Sequence, residues 1–328
     1  MSLSEFDIIR KYFTNIGYRR DDVQLGVGDD CALLRPEPGF DMVVTVDNMV
    51  LDVHFDAMTP VDCLAYKSVM VSVSDIAAMG ARPAWLTLAL TLPEADEKWL
   101  QLFSKGLHEV CQETQISLVG GNLSRGSLNI ATQLTGLVRP DSVLLRSGAS
   151  AGQGIFVTGN LGDAGMGLLS HQQRLNELDL DPLAKSQVRA RFYRPTARVD
   201  IGFALHSMAT SCIDISDGFV ADLQHLLNAS EVGATIELTN LPVHPIFHRV
   251  FEQVGQWRHP ISAGEDYELC FTASMQYIPQ IQQLSKSQGV SITQVGIVEL
   301  QSGLRLTLDG SRYVAKMSDN EINGFQHF

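Results

Sequence analysis

The segment from Pro60 to Met79 reads as a helix with almost no polar face, opened by proline and closed by Gly80 and Pro83. A helix apolar nearly all round is a buried helix, so the rest of the fold has to cover it. After Asp62 its charged residues are Lys67 and Asp75, eight positions and roughly 12 Å apart along a helix axis. They cannot neutralise each other directly, and a carboxylate at the end of a nearly buried helix is costly unless something compensates it. Asp75 is therefore a candidate for function.

Chain length sets how many such cores to look for. With 328 residues, 45% hydrophobic and 19% charged, the chain has room for two ordinary domains. Composition changes near Arg139-Pro140-Asp141, which divides it into residues 1–138 and 139–328. The formal net charge of −13 disfavours nucleic acid as a partner, because phosphate binding needs Lys and Arg. No apolar run reaches the length of about 18 residues that a membrane helix needs. The start, with Glu5 and Asp7, lacks the form of a signal peptide. Cys31, Cys63, Cys111, Cys212 and Cys270 are odd in number and never in a Cys-x-x-Cys pair, which fits reduced thiols and a cytoplasmic protein.

Several other acids stand at the ends of apolar segments. In Gly26-Val27-Gly28-Asp29-Asp30, flexible glycines deliver paired aspartates to the edge of an apolar run; a surface turn would account for one of them. Met42 to Val46 reads as a buried strand with Asp47 at its C-terminal end, a common place for ligand groups in layered α/β proteins. His54, among apolar neighbours, is a ligand or a satisfied structural group. Ser211 to Ile213 reads as a strand and Phe219 to Leu227 as a helix, so Asp214-Ile215-Ser216-Asp217-Gly218 falls at a strand-to-helix junction. There Asp214 and Asp217 hold a metal ion or serve as a helix cap. Gly120-Gly121 reads as a hairpin turn or a close approach to a ligand. Gly159 to Gly167 resembles a phosphate-cradling loop without matching a known fingerprint, and tight strand–helix packing explains it equally. Glu265, Asp266 and Glu268 flank an alternating strand, the pattern of solvated acids on a half-exposed face.

Taken together, Gly26 to Asp30, Asp47 with His54-Phe55, Ser74-Asp75-Ile76-Ala77-Ala78-Met79-Gly80, Gly120-Gly121, Asp214 to Gly218, Gly264 to Leu269 and the closing Gly324-Phe325-Gln326-His327-Phe328 resemble the bacterial thiamine-monophosphate kinases nearly end to end. The resemblance implies a two-domain α/β fold of the aminoimidazole-ribonucleotide synthetase type, with an N-terminal sheet domain that forms a homodimer. It implies ATP as co-substrate, thiamine monophosphate as acceptor, several Mg²⁺ ions, and no catalytic residue separate from the ligands. By the same resemblance Asp30, Thr45, Asp47, Asp75, Asn122, Asp214 and Asp217 are metal ligands. Gly121, Asn122, Arg146 and Ser216 contact ATP, and His54, Glu265 and Phe325 contact thiamine monophosphate.

This chemistry suits the residues. A phosphate acceptor, with a second pKa near 6, is already an anionic nucleophile at neutral pH, so no general base is needed. The task is to bring two polyanions together, which carboxylate-held magnesium achieves by neutralising charge. The chain departs from the family pattern at two places. Asn122 stands where the family has a carboxylate, bringing an oxygen without charge, and Val46 replaces a hydroxyl residue; both leave the number of ions open. The alternatives are another ATP-dependent enzyme of the same superfamily, or a catalytically weak regulator that binds ATP and metal.

Overall fold

The computed structural model describes residues 4–173, 182–244 and 257–313. Two compact units emerge, residues 1–76 with 81–141 and residues 77–80 with 142–328.

The first unit opens with helix α1 (Glu5–Tyr12), where Ser4 and Asp7 form a reciprocal capping box. Strands β1 (Val23–Leu25) and β2 (Leu33–Leu34) pair antiparallel around the Gly26–Asp30 turn. Strand β3 (Asp41–Val50) leads to α2 (Val61–Ala78), followed by β4 (Arg82–Leu92), α3 (Glu97–Glu113), β5 (Ser117–Arg125) and β6 (Asn129–Val138). The four long strands form one sheet in the order β3-β6-β4-β5. β4 and β5 run parallel, joined by the α3 crossover, and the remaining pairs are antiparallel. α2 lies on one face, its Ser68 and Ser72 bonded to Thr132 of β6, and its Val69 and Val73 side chains are fully buried.

Two expectations change here. Met42 to Val46 is not a buried strand: among the described residues β3 is an edge strand paired with β6 alone, and Met42, Val44 and Val46 are 58%, 61% and 64% exposed. Asp47 lies within the strand rather than at its end. Gly120-Gly121 is not a hairpin either, because both glycines lie inside β5 alongside the parallel strand β4. Gly121 is there for close approach: a Cβ on it would collide with the Leu88 carbonyl.

The second unit comprises β7 (Gly154–Thr158), α4 (Asp163–His171), α5 (Pro182–Tyr193), α6 (Val199–Leu205), β8 (Ala209–Asp214), α7 (Phe219–Ala229) and β9 (Gly233–Glu237). It continues through α8 (Arg258–Ser262), β10 (Leu269–Ala273), α9 (Ile278–Gln288), β11 (Ile292–Glu299), β12 (Gly303–Leu308) and β13 (Ser311–Arg312). Its sheet has the order β13-β12-β9-β11-β7-β10-β8. Both faces are covered. Ile155, Val157, Ile213 and Cys270 join a core with α7 and α8, while Phe156, Cys212, Leu269 and Phe271 join another with α6 and α9. This two-sided burial explains why β7 and β10 are continuous apolar runs. Among the described residues no helix is long and apolar enough to cross a membrane.

Candidate active site

In the first unit a cavity of about 400 Å³ opens at the β5 edge of the sheet, within the range of roughly 300–1,000 Å³ typical of small-molecule sites. Phe6 and Ile9 of α1 and Phe13 just after it, with Leu88 and Leu90 of β4, make an apolar wall. Asp29, Asp30, Gly121 and Asn122 make the polar one. The glycine turn does the positioning: Asp29 bends back to accept the Asp30 amide at 2.8 Å, and the Asp30 residue is exposed. Three of the residues predicted from sequence thus share one cavity with an apolar partner surface.

A second group lies on the α2 side of the same sheet. Thr45 donates its hydroxyl to Asp75 Oδ2 at 2.5 Å, and Ser72 donates to Asp47 Oδ2 at 2.6 Å. Thr132 stands 3.0 Å from Ser72. Burial pushes the Asp47 carboxyl up to about 6; the Ser72 hydroxyl opposes this and the Asp75 charge adds to it. All the donors here are oxygens and the two carboxylates repel each other, which is the chemistry that suits a hard cation such as magnesium. Asn122 is not part of this group. Asp47, Thr132, Leu88 and Gly121 form one row across the sheet, whereas Asn48, Ala131, Ala89 and Asn122 form the next, facing the other way.

In the second unit, Asp214 ends β8 and is buried, while Ser216 and Asp217 are half-buried on the turn into α7. The turn is held on both edges. Backbone amides of Ser216, Asp217 and Gly218 converge on Asp222 Oδ2 at 2.9, 3.0 and 3.1 Å. Burial pushes the Asp222 carboxyl up to about 7, the Asp217 charge adds to that, and the amides oppose it. On the other edge, the Glu265 amide donates to the Ser216 carbonyl and the Tyr267 amide to that of Ile215, each at 2.8 Å. Gly218, at φ 134°, is required, since a Cβ would come within 2.9 Å of the Ser262 backbone.

Asp266 and Glu268 are not solvated acids, contrary to the alternating pattern. Asp266 and Glu268 are each 1% exposed. Asp266 caps α4 from a distance, accepting the Gly162 amide at 2.7 Å and the Ala164 amide at 3.2 Å. That carboxylate sits at the N-terminus of α4, the position where the glycine-rich stretch suggested a phosphate. Glu268 is gripped by Arg198, with Nε at 2.6 Å, by Arg191 at 2.9 Å, and by the Thr158 hydroxyl at 2.6 Å. Immediately before each of these anchors, Glu265 (φ 69°) and Tyr267 (φ 52°) take left-handed backbone conformations. Such strain persists only where the surroundings over-determine it, and it concentrates at functional sites.

The remaining candidates are placed as follows. His54 is half-buried, and its Nδ1 accepts the Val50 amide at 3.0 Å, which puts the proton of the neutral ring on Nε2. Arg146 is exposed, and its carbonyl accepts the Ser230 hydroxyl. Phe325 lies outside the described residues. Among the described residues no three His, Cys, Asp or Glu side chains stand as a ready-made metal cage. Sequence reasoning passed over Ser72, Asp222, Arg191 and Arg198. Ser72, one turn before Asp75 on the largely apolar α2, and Asp222, in the first turn of the helix that follows Asp217, were the visible signals.

Residues 28–138 match the AIR synthase related protein N-terminal domain and residues 150–309 the corresponding C-terminal domain. The thiamine-monophosphate kinase of Haemophilus influenzae is 36% identical across 100% of this chain and 99% of its own length. The chain is an enzyme of the thiamine-monophosphate kinase family. A crystal structure of the Stenotrophomonas maltophilia member superposes with a TM-score of 0.83 at 37% identity, covering 95% of this chain and 99% of that one. A further kinase structure, AaThiL complexed with AMPPCP and TMP, superposes with a TM-score of 0.75 at 28% identity, covering 100% and 99%. The fold is the family's mixed α/β pair of domains.

Proposed function

We propose that this enzyme transfers the γ-phosphoryl group of ATP directly to the phosphate of thiamine monophosphate, giving thiamine diphosphate and ADP. The observation that carries the reading is the end-to-end similarity to a kinase structure bound to AMPPCP and TMP; AMPPCP is ATP with a methylene in place of the β–γ bridging oxygen. The cavity beside Asp30, Gly121 and Asn122 offers an apolar wall for a nucleobase and polar groups for the phosphates. By the family resemblance, Arg146 and Ser216 are the further proposed ATP contacts, a cation and a hydroxyl suited to phosphate oxygens. His54, Glu265 and Phe325 take the acceptor: a carboxylate suits the cationic thiazolium, and an aromatic face suits the pyrimidine.

Asp30, Thr45, Asp47, Asp75, Asn122, Asp214 and Asp217 are the proposed magnesium ligands. The paired carboxylates of Asp47 and Asp75, each already accepting a hydroxyl proton, fit this role. Magnesium held there would offset the charge of the two phosphate chains. The chain's own part is positioning: it aligns the acceptor oxygen with the γ-phosphorus and keeps both strained anchors, Glu265 and Tyr267, in place. No side chain needs to remove a proton, because the acceptor phosphate is anionic at neutral pH. The reading includes a homodimer formed through the exposed apolar face of β3, where Met42, Val44 and Val46 line up. It also includes a cytoplasmic location, in keeping with five free cysteines.

The test is a panel of acceptors incubated with ATP and magnesium and resolved by chromatography. Thiamine monophosphate should be converted in preference to free thiamine and to ribonucleotide acceptors. Conversion of a ribonucleotide alone would point to another activity of the same superfamily.

A further inference from the structure

The turn that carries Ser216 and Asp217 has no regular pairing of its own, yet its backbone is fixed residue by residue. Asp222, in the first turn of α7 and 3% exposed, gathers three successive amides onto one oxygen at 2.9–3.1 Å. A neutral side chain would cap the helix with less cost than a buried carboxylate beside Asp217. The carboxylate also comes from α7 itself, so the turn is registered to a helix packed into the Ile213–Phe219–Leu223 core. The opposite edge is registered to the 265–268 segment through the Ile215 amide and carbonyl and the Ser216 carbonyl.

We propose that Asp222 is a positioning residue for phosphoryl transfer. Without touching nucleotide or acceptor, it sets the backbone of Ser216 and Asp217 in the arrangement that receives the ATP phosphates and their magnesium. The inference rests on the function proposed above. What matters under it is where the acceptor oxygen lies, not the charge it bears. An asparagine keeps an oxygen in the same place without the charge, while a glutamate keeps the charge and moves the oxygen by about one carbon–carbon bond, ~1.5 Å.

Asp222→Asn and Asp222→Glu are therefore compared with the wild type at 20 °C, with near-UV circular dichroism confirming the folded state. The D222N variant should keep kcat within about threefold. The D222E variant should lose kcat on the order of 100-fold, the scale of a misplacement of about 1 Å. Its KM for thiamine monophosphate should stay within about twofold, because the segment that carries Glu265 is anchored separately through Asp266 and Glu268. The opposite order, an equal loss in both variants, or no loss in either would overturn the proposal. If the wild type makes no thiamine diphosphate, the functional reading fails separately. Titration calorimetry with magnesium and AMPPCP then decides the inference: D222E should bind at least about tenfold more weakly than D222N, and equal affinities would overturn it.

Discussion

Replacing Glu268 with alanine tests what holds the second unit's site in shape. The Glu268 carboxylate is 1% exposed and joins two guanidinium groups whose side chains are 15% and 22% exposed, those of Arg198 and Arg191. Burial lowers the Arg198 pKa, but the hydrogen bond and charge of Glu268 outweigh it and leave the pKa raised. Truncation leaves both cations mostly buried with that counter-charge gone. Breaking a buried ion pair from one side costs about 3–5 kcal/mol. In a domain of this size one kcal/mol moves the melting temperature by roughly 2–4 °C, so Glu268→Ala should lower the melting of the second unit by ~10 °C. Differential scanning calorimetry reads it directly. Glu268→Gln, which keeps volume and one acceptor oxygen, should lose about half as much. A fall of less than about 2 °C for Glu268→Ala would refute the claim that this network stabilises the segment.

The other predictions concern the same segment and the first unit's cavity. Burial pushes the Asp266 carboxyl up to about 8, with Asp163 adding to it and two amides and Arg191 opposing. A carboxyl whose native pKa is raised stabilises fully below its unfolded value, near 4, and loses that contribution as pH rises through the native one. Stability should therefore fall from pH 5 to pH 8; Asp266→Asn should flatten that slope in denaturant titrations, and an unchanged slope would contradict the assignment. Glu265→Gly should be more stable than Glu265→Ala by about 1 kcal/mol, because only glycine relieves the left-handed backbone. Both should raise the acceptor KM alike, so equal melting temperatures would remove the strain argument. Asn122→Asp adds a carboxylate beside Asp29 and Asp30 in the cavity wall; the magnesium needed for half-maximal rate should drop several-fold, and an unchanged titration would place residue 122 outside the metal shell.

The signals legible in the sequence were those set locally. The nearly all-round apolar pattern of 61–78 marked a buried helix and made Asp75 conspicuous, and the run from Ser211 to Leu227 placed Asp214 and Asp217 at a strand-to-helix turn. What failed depended on distant partners. Gly120-Gly121 carries a turn signal by itself, and only parallel pairing with β4 makes it strand. Met42 to Val46 is apolar whether central or edge, so its exposure follows from strand order alone. Glu268 looks solvated until Arg198, seventy residues earlier, closes on it. Asn122 was grouped with the other ligands by motif, whereas side-chain alternation in β5 puts it on the sheet face opposite Asp47, and it shares with Asp30 only the lining of the cavity at the β5 edge.

Direct transfer is the central claim, and a single turnover tests it most directly. Enzyme in excess is mixed with ATP labelled in the γ-phosphate, magnesium and thiamine monophosphate, then quenched in acid over the first turnover. The label should pass from ATP to the terminal phosphate of thiamine diphosphate with one ADP formed per transfer and no labelled protein at any time. Label recovered on the protein, or only as inorganic phosphate while thiamine monophosphate stays intact, would contradict it.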